Sequence, residues 1–338
     1  MRKYIKIMKK GLANLGNTCS INTLIQCLGH CDMFRNFILE NKLSIRKRNE
    51  NNVFSIYEEL KLILHQLWID NNSLAPKRFI KAVFESLGND YSYGEQFDFT
   101  EILMILVNNI TEETHINDFK AKHQIHHNYG IPIFDYLQKT SQSSWDLFFK
   151  NSNSPINDIL QGTQIQQVEC NKCNKLYHNI EPFFFNYIEI TGNHILDSFR
   201  KLIKEEQITE WKCMECSSNE GTKAIRFWKL PNIWIIILKR FNNQQKINDP
   251  LHITTEFIIE KGIEMSSFMN NELTTYELKG VANHFGNLNG GHYNAICKNK
   301  DNDWYLYDDL NIRKINDIHK ILTNNTSAYV LFYERKNS

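Results

Sequence analysis

Four residue types that acyl transfer needs occur in suitable settings in this sequence: a cysteine, a histidine, a carboxylate and an amide. Cys19 lies in GLANLGNTCSINTLIQCL, where a loop with Gly11 and Gly16 gives way to apolar residues at helical spacing. That spacing predicts a helix N-terminus at Cys19. The positive end of the helix dipole and unpaired backbone N–H groups favour a thiolate there, below the ~8.5 of a free cysteine. The backbone N–H of Cys19 and the side-chain amide of Asn14 are candidates to donate to one oxyanion. His292 sits where a Gly-Gly loop enters a β-type run, and Asp308 and Asp309 follow the next such run. Neighbouring antiparallel strands would bring them together. A carboxylate on the second ring nitrogen fixes the tautomer an imidazole needs to face a thiol, and Asp308 is the natural candidate. Taken singly, a cysteine is more often a buried packing residue and a histidine a loop or core residue. The inference rests on the combination.

A second chemistry is written in Cys170-Asn-Lys-Cys173 and Cys213-Met-Glu-Cys216. Two C-x-x-C pairs read as a tetrahedral four-thiolate zinc site, although the intervening segment exceeds the ~15–20 residues of compact fingers. Thioredoxin-type redox chemistry would require a pair to open a helix after a strand, and neither does. Cys27 and Cys31 recur at helical spacing and read as packing residues, as does Cys297 on a strand. The polar cluster His123, His126 and His127 reads as solvent-exposed, and the basic run Arg46, Lys47 and Arg48 as a solvated loop.

The elements that must carry these residues change character along the chain. Up to about Lys150 the apolar residues recur at intervals of three and four: Ile21, Leu24, Ile25 and Leu28; then Ile56, Leu60, Ile63, Leu64 and Leu67. A third stripe, Phe79, Ile80, Val83 and Phe84, follows Pro76, which suits a first helical turn. A fourth contains Phe99, Ile102, Leu103, Leu106 and Ile110. From about Ile159 short β-type runs take over, at Phe183 to Ile190, Thr222 to Trp228, Ile233 to Phe241, Tyr276 to Ala282, His292 to Cys297, Trp304 to Tyr307 and Ala328 to Tyr333. The unbroken apolar stretch Ile233 to Leu238 predicts a central strand buried on both faces. Helices first and an antiparallel sheet later give an α+β fold class.

The 338 residues are 42% hydrophobic and 23% charged, ordinary for a globular chain and unlike disordered or fibrous compositions. The formal net charge of +1 supplies no field to recruit nucleic acid or a membrane surface. The longest apolar runs are far short of the ~20 residues a bilayer crossing needs. The N-terminal MRKYIKIMKK is broken by lysines before a signal-peptide core can form. An intracellular, cytoplasmic or nuclear setting is expected, with reduced thiols and no disulfide framework.

With these motifs in order, the sequence resembles the catalytic domain of ubiquitin-specific proteases from Gly11 to Arg335. Gly11 to Cys19, continuing through Asn22 to Gln26 and Leu28, is similar to the family's cysteine box. Gln96, Asp98 and Glu101, then Ile102 and Leu103, resemble its glutamine/aspartate box. Lys229 to Phe241 resembles its central strand, while Tyr276 to Val281, Gly291-His-Tyr293, Trp304-Tyr305, Asp308-Asp309 and Ala328 to Tyr333 resemble its histidine box and last strand. Ser20 and Ile21 stand where the family has an aromatic residue and a methionine, and Phe97 where it has a second polar residue.

The resemblance implies a papain-like cysteine protease fold with a helical thumb (about 1–155), zinc-bearing β fingers (about 156–230) and an antiparallel β palm (about 231–338), all in one catalytic domain. It implies Cys19 as nucleophile, His292 as base, Asp308 as orienting acid and Asn14 in the oxyanion hole. Asp98 and Glu101 would grip the arginine-bearing tail of ubiquitin, with Gln96 and Gly291 beside them. One structural zinc on Cys170, Cys173, Cys213 and Cys216 is implied, with no catalytic cofactor. The expected partner is ubiquitin or ubiquitinated protein, met by a monomer without accessory modules. A catalytically inactive ubiquitin-binding scaffold, a protease for a related modifier, a papain-like enzyme for another acyl substrate and a zinc-ribbon nucleic-acid binder are the alternatives.

Overall fold

Helix α1 (Cys19–His30) is buried along its entire length. Its apolar stripe enters the main core, and its polar residues reach main-chain partners: Asn22 donates to the carbonyls of Leu12 and Ala13, and Gln26 to that of Lys10. The computed structural model describes residues 8–41, 54–87, 94–116, 133–242, 245–259, 274–287 and 290–336. Arg46, Lys47 and Arg48, the histidines His123, His126 and His127, and Leu288 and Asn289 of the glycine-rich loop lie outside the described residues.

Around α1 pack α2 (Asp32–Glu40), α3 (Ile56–His65, extended by a π-turn over Gln66–Asp70), α4 (Lys77–Leu87) and α5 (Phe99–Glu113). Pro76 directly precedes α4, as its fixed φ suits. The last turn of α5 caps the first turn of α3: Glu113 accepts from the N–H groups of Ile56 at 3.0 Å and Tyr57 at 2.8 Å and from Ser55 Oγ at 2.7 Å. A carboxylate at a helix N-terminus satisfies orphan donors and complements the dipole. Helices α6 (Ile133–Phe148) and α7 (Asn157–Leu160) lead into the strands.

A four-stranded sheet has the order β2 (Leu176–Phe183), β1 (Gly162–Cys170), β5 (Gly221–Lys229), β4 (Glu206–Ile208) and is wholly antiparallel. The larger sheet runs β13 (Asn311–Ile315), β12 (Trp304–Asp308), β11 (Gly290–Lys298), β10 (Thr275–Asn287), β14 (Ala328–Arg335), β6 (Ile233–Leu238), β3 (Phe185–Ile188), with β9 (Glu256–Ile258) pairing the start of β10. A hairpin of β7 (Phe241–Asn242) and β8 (Gln245–Lys246) and helices α8 (Ile195–Ile203) and α9 (Ile318–Thr323) complete the described elements.

Strand β6 is buried at every position, as its unbroken apolar sequence predicts. Ile233, Ile235 and Ile237 face the cluster shared with the helices, and Trp234, Ile236 and Leu238 face a second cluster with Ile195 and Phe199 of α8.

Two expectations change. The run Phe183 to Ile190 is not one strand: Phe183 ends β2, and β3 starts at Phe185 in the other sheet. The larger sheet is also not purely antiparallel, because β3 lies parallel to β6. Both follow from one event, the chain crossing from the small sheet to the large one at Phe184.

Candidate active site and metal centre

The proposed base and acid meet as the strand order requires. Antiparallel pairing of β11 with β12 brings the start of one beside the end of the other, and His292 Nε2 lies 2.5 Å from Asp308 Oδ1. Asp308 therefore engages Nε2, leaving Nδ1 as the ring nitrogen for another partner. Both side chains are partly exposed. Next in the chain, Asp309 turns through a positive φ of 53° and makes three contacts with the loop before α1 and with α1 itself. Its carboxylate accepts from Asn22 Nδ2 at 2.7 Å and from Asn14 Nδ2 at 3.0 Å, and its carbonyl accepts from the Leu12 N–H at 3.1 Å. The strand of residues before Asn14 can pass this close only as glycine: a Cβ on Gly11 would stand 2.1 Å from the Asp309 carbonyl oxygen.

Cys19 is the first residue of α1, and no side chain caps the first turn. The Thr18 hydroxyl is turned the other way, accepting from the Leu15 N–H and donating to Asn14 Oδ1. Uncapped N–H groups thus lie beside the thiol. The expected depression of the thiol pKa is not what the resting site gives. Burial raises it, and the Asp309 charge acts the same way; backbone N–H groups of Tyr293, Ser20 and Cys19 only partly offset them. No hydrogen bond joins Cys19 Sγ to His292 among the described residues. Asn14 is exposed; its oxygen accepts from the Gly16 and Thr18 N–H groups, while its NH₂ reaches Asp309.

Gln96 and Asp98 line an open groove with Phe241, His284, Gly290, Gly291 and Tyr293. Asp98 is the N-cap of α5, accepting from the Thr100 N–H at 2.8 Å and from the Thr100 hydroxyl, while its other oxygen accepts from Tyr329 at 3.2 Å. Glu101 lies in the first turn of the same helix. Gln96 Nε2 donates to the Gly291 carbonyl at 3.0 Å and its Oε1 accepts from the Gly291 N–H at 2.9 Å. Phe97 turns inward against Phe84, with ring centroids 5.1 Å apart.

Sequence reasoning missed His284, Tyr329 and the role of Asn22. His284 is buried against Tyr293, with ring centroids 4.7 Å apart, and burial and the nearby Lys246 push its pKa down to about 4. Asn22 offered a signal, a polar residue one turn after Cys19 within an apolar helical stripe.

At the far end of the small sheet, Cys170, Cys173, Cys213 and Cys216 place their four sulfurs within 4.8 Å of one another. Cys170 and Cys216 are 3.5 Å apart, Cys173 and Cys213 3.6 Å. Tetrahedral thiolates at ~2.3 Å from zinc stand about 3.8 Å apart, so the set fits the metal. The two C-x-x-C turns are alike. Each ends in a residue of positive φ, Asn174 at 56° and Ser217 at 58°, whose N–H returns to the first cysteine's carbonyl at 2.9 Å. The Cys213 thiol is brought down to about 6: burial opposes ionisation, but the Tyr177 hydroxyl at 3.3 Å and nearby N–H groups favour it more.

The family profile described as ubiquitin carboxyl-terminal hydrolase matches residues 10–333. The chain is 26% identical over 366 residues to ubiquitin carboxyl-terminal hydrolase 4 of Eremothecium gossypii, covering 97% of this chain and 43% of that protein. It is 27% identical over 359 residues to ubiquitin carboxyl-terminal hydrolase 5 of Saccharomyces cerevisiae, covering 96% and 44%. The chain thus spans less than half the length of these relatives. Among solved structures, the SAGA Ubp8/Sgf11/Sus1/Sgf73 DUB module bound to ubiquitin aldehyde superimposes with a TM-score of 0.70 at 22% identity, over 97% of this chain and 70% of that one. The same module bound to monoubiquitin gives 0.72 at 20% identity, over 97% and 69%. These likenesses give the fold, a mixed α and β architecture. With a profile match over nearly all of its length, the chain belongs to the ubiquitin carboxyl-terminal hydrolase family.

Proposed function

We propose that this chain is a thiol-dependent deubiquitinase that hydrolyses the peptide or isopeptide bond after the C-terminal Gly-Gly of ubiquitin. The observation that carries the reading is the His292–Asp308 pair at 2.5 Å, on strands that pack against the helix headed by Cys19. Since burial keeps the resting thiol protonated, His292 takes its proton at Nδ1 as sulfur attacks the terminal glycine carbonyl. Asp308 holds Nε2 and stabilises the imidazolium. The oxyanion is received by the Cys19 N–H and Asn14. The leaving amine takes the proton from His292, and water, deprotonated by the same ring, then resolves the thioester.

The substrate tail enters along the groove of Asp98 and Gly291. Asp98 and Glu101 are neighbours at the start of α5 and present carboxylates to the tail arginines. Asp98 is also a helix cap, so one carboxylate would serve both ends. We read residues about 1–155 as thumb, 156–230 as fingers and 231–338 as palm, with one zinc on the four cysteines. Four thiolates leave no open coordination position, so zinc would brace the fingers and take no part in the chemistry. No helix among the described residues is long and apolar enough to cross a membrane. The free thiols suit a reducing compartment, cytoplasm or nucleus. We read ubiquitin or ubiquitinated protein as the partner.

Turnover of ubiquitin bearing a C-terminal fluorogenic amide tests the proposal. Wild-type chain should release the fluorophore and Cys19→Ala should not, while still binding ubiquitin. A purified Cys19→Ala protein that hydrolyses at the wild-type rate would overturn it, and reaction only with probes built on another modifier would move the substrate to that modifier.

A further inference from the structure

The residue before the base is held in a way that substrate binding does not explain. Gln96 spends both ends of its amide on the two main-chain groups of Gly291, at 3.0 Å and 2.9 Å. Only one orientation of the amide makes both bonds, so oxygen and nitrogen are fixed by their partners. The same Nε2 stands 3.5 Å from Asn17 Oδ1, and Asn17 Nδ2 donates to the Gly94 carbonyl at 2.6 Å. Asn17 is two residues before Cys19, and Gly291 is one before His292. One side chain therefore spans the loop that carries the nucleophile and the strand that carries the base.

The opposite side of Gly291 is closed as well. A Cβ there would lie 2.5 Å from His284 Nε2 and 2.2 Å from the Phe285 carbonyl oxygen, and one on Gly290 would lie 2.6 Å from Gln96 Oε1. The backbone of these two glycines is thus wedged between the buried His284 ring and the Gln96 amide.

We propose that Gln96 is a positioning residue that sets the placement of His292 relative to Cys19 by clamping Gly291. The alternative is that Gln96 binds the modifier's tail. The two differ physically: a displacement of about 1 Å in a reacting group costs on the order of 10²-fold in rate, whereas a lost tail contact weakens binding alone. The proposal rests on the deubiquitinase reading for its kinetic arm only.

The test uses the full chain and two variants, Gln96→Ala and Gln96→Glu; the second keeps an acceptor for the Gly291 N–H but sets a carboxylate against the Gly291 carbonyl. The first measurement is steady-state hydrolysis of ubiquitin with a fluorogenic C-terminal amide. The second is the rate of Cys19 alkylation by iodoacetamide between pH 5 and 9, read by mass spectrometry, with His292→Ala as reference; it needs no ubiquitin. If Gln96 positions the base, Gln96→Ala lowers kcat by about tenfold or more, KM stays within about threefold, and the alkylation profile moves toward that of His292→Ala. Gln96→Glu should move both measurements the same way. A rise in KM with kcat retained, or a wild-type alkylation profile in Gln96→Ala, overturns the clamp. Absence of turnover by wild-type chain would overturn the deubiquitinase reading instead, and the alkylation comparison would then decide the clamp by itself.

Discussion

Asp308 and Asp309 are adjacent and chemically identical, yet they face different work. Asp308 holds the His292 ring, so Asp308→Ala should lower kcat by roughly 10²-fold, leave measurable turnover and barely move the melting temperature. Asp309 ties Asn14, Asn22 and the Leu12 N–H together. Asp309→Ala leaves the Asn22 and Asn14 amides to find new partners. It should cost about 1–3 kcal/mol of stability, seen in urea unfolding, as well as activity through the displaced Asn14. His30 gives a pH signature. It is fully buried between the Gln26 carbonyl at 2.7 Å and the Tyr307 hydroxyl at 3.1 Å, and burial lowers its pKa to about 3. The unfolded state binds a proton near pH 6.5 that the folded state refuses, so this contribution to stability is whole above pH 6.5 and declines as pH falls toward 3. His30→Gln should show a shallower drop in melting temperature between pH 7 and pH 5. At this scale the pairing of His292 with Asp308 and the place of Cys19 at a helix start were legible, because residue type and local setting point to them. The work of Gln96, His284 and Asn22 was not, because it depends on partners such as Gly291 that only the fold brings near.

Among the elements, α5 and the twin cysteine turns carry the clearest consequences. Asp98 accepts from the Thr100 N–H, so Asp98→Asn should cost little as a cap, since asparagine caps helices nearly as well, while a tail-gripping carboxylate would be lost. A raised KM with a melting temperature within a degree or two is the expected result; a lower melting temperature with unchanged KM would assign Asp98 to the helix alone. For the fingers, Cys173→Ser should reduce bound zinc and thermal stability together, measured by metal analysis and calorimetry on the same sample. Element type was readable where apolar periodicity was strong, as in α1, α5 and β6. It failed for β1, GTQIQQVEC, whose residues are mostly polar, and for β2, LYHNIEPF, whose residues do not alternate cleanly and are mostly only partly buried. Those strands are held by each other and by the cysteine turns, and periodicity cannot register either. Helices α2 and α8 were missed because each is only 9 residues long.

The molecule as a whole is a large sheet with a hydrophobic cluster on each face, sharing β6, and a smaller sheet that has a minor cluster of its own at Leu137, Ile165 and Ile180 and joins the second large cluster through Phe183 and Phe227. Ile236→Ala would open a cavity at a site with no solvent exposure and should cost about 2–5 kcal/mol in denaturant unfolding. Because the minor cluster is so small, stripping zinc should split thermal unfolding into two transitions, the fingers melting first and the large sheet near its original temperature. A single transition shifted as a unit would show instead that the two sheets unfold together.

The burial of α1 also bears on how the protein is made. Its twelve residues leave the ribosome well before β10 and β11, against which it packs and which begin at Thr275 and Gly290. At ~5–20 residues per second, an apolar helix waits on the order of 10–50 s for its cover. The histidine and aspartate arrive with the same late strands, so a chain stalled before His292 should fail to react with an electrophilic ubiquitin probe that labels the released protein. Synthesis would thus act as its own safety catch, arming the thiol only once the strands bearing His292 and Asp308 have emerged.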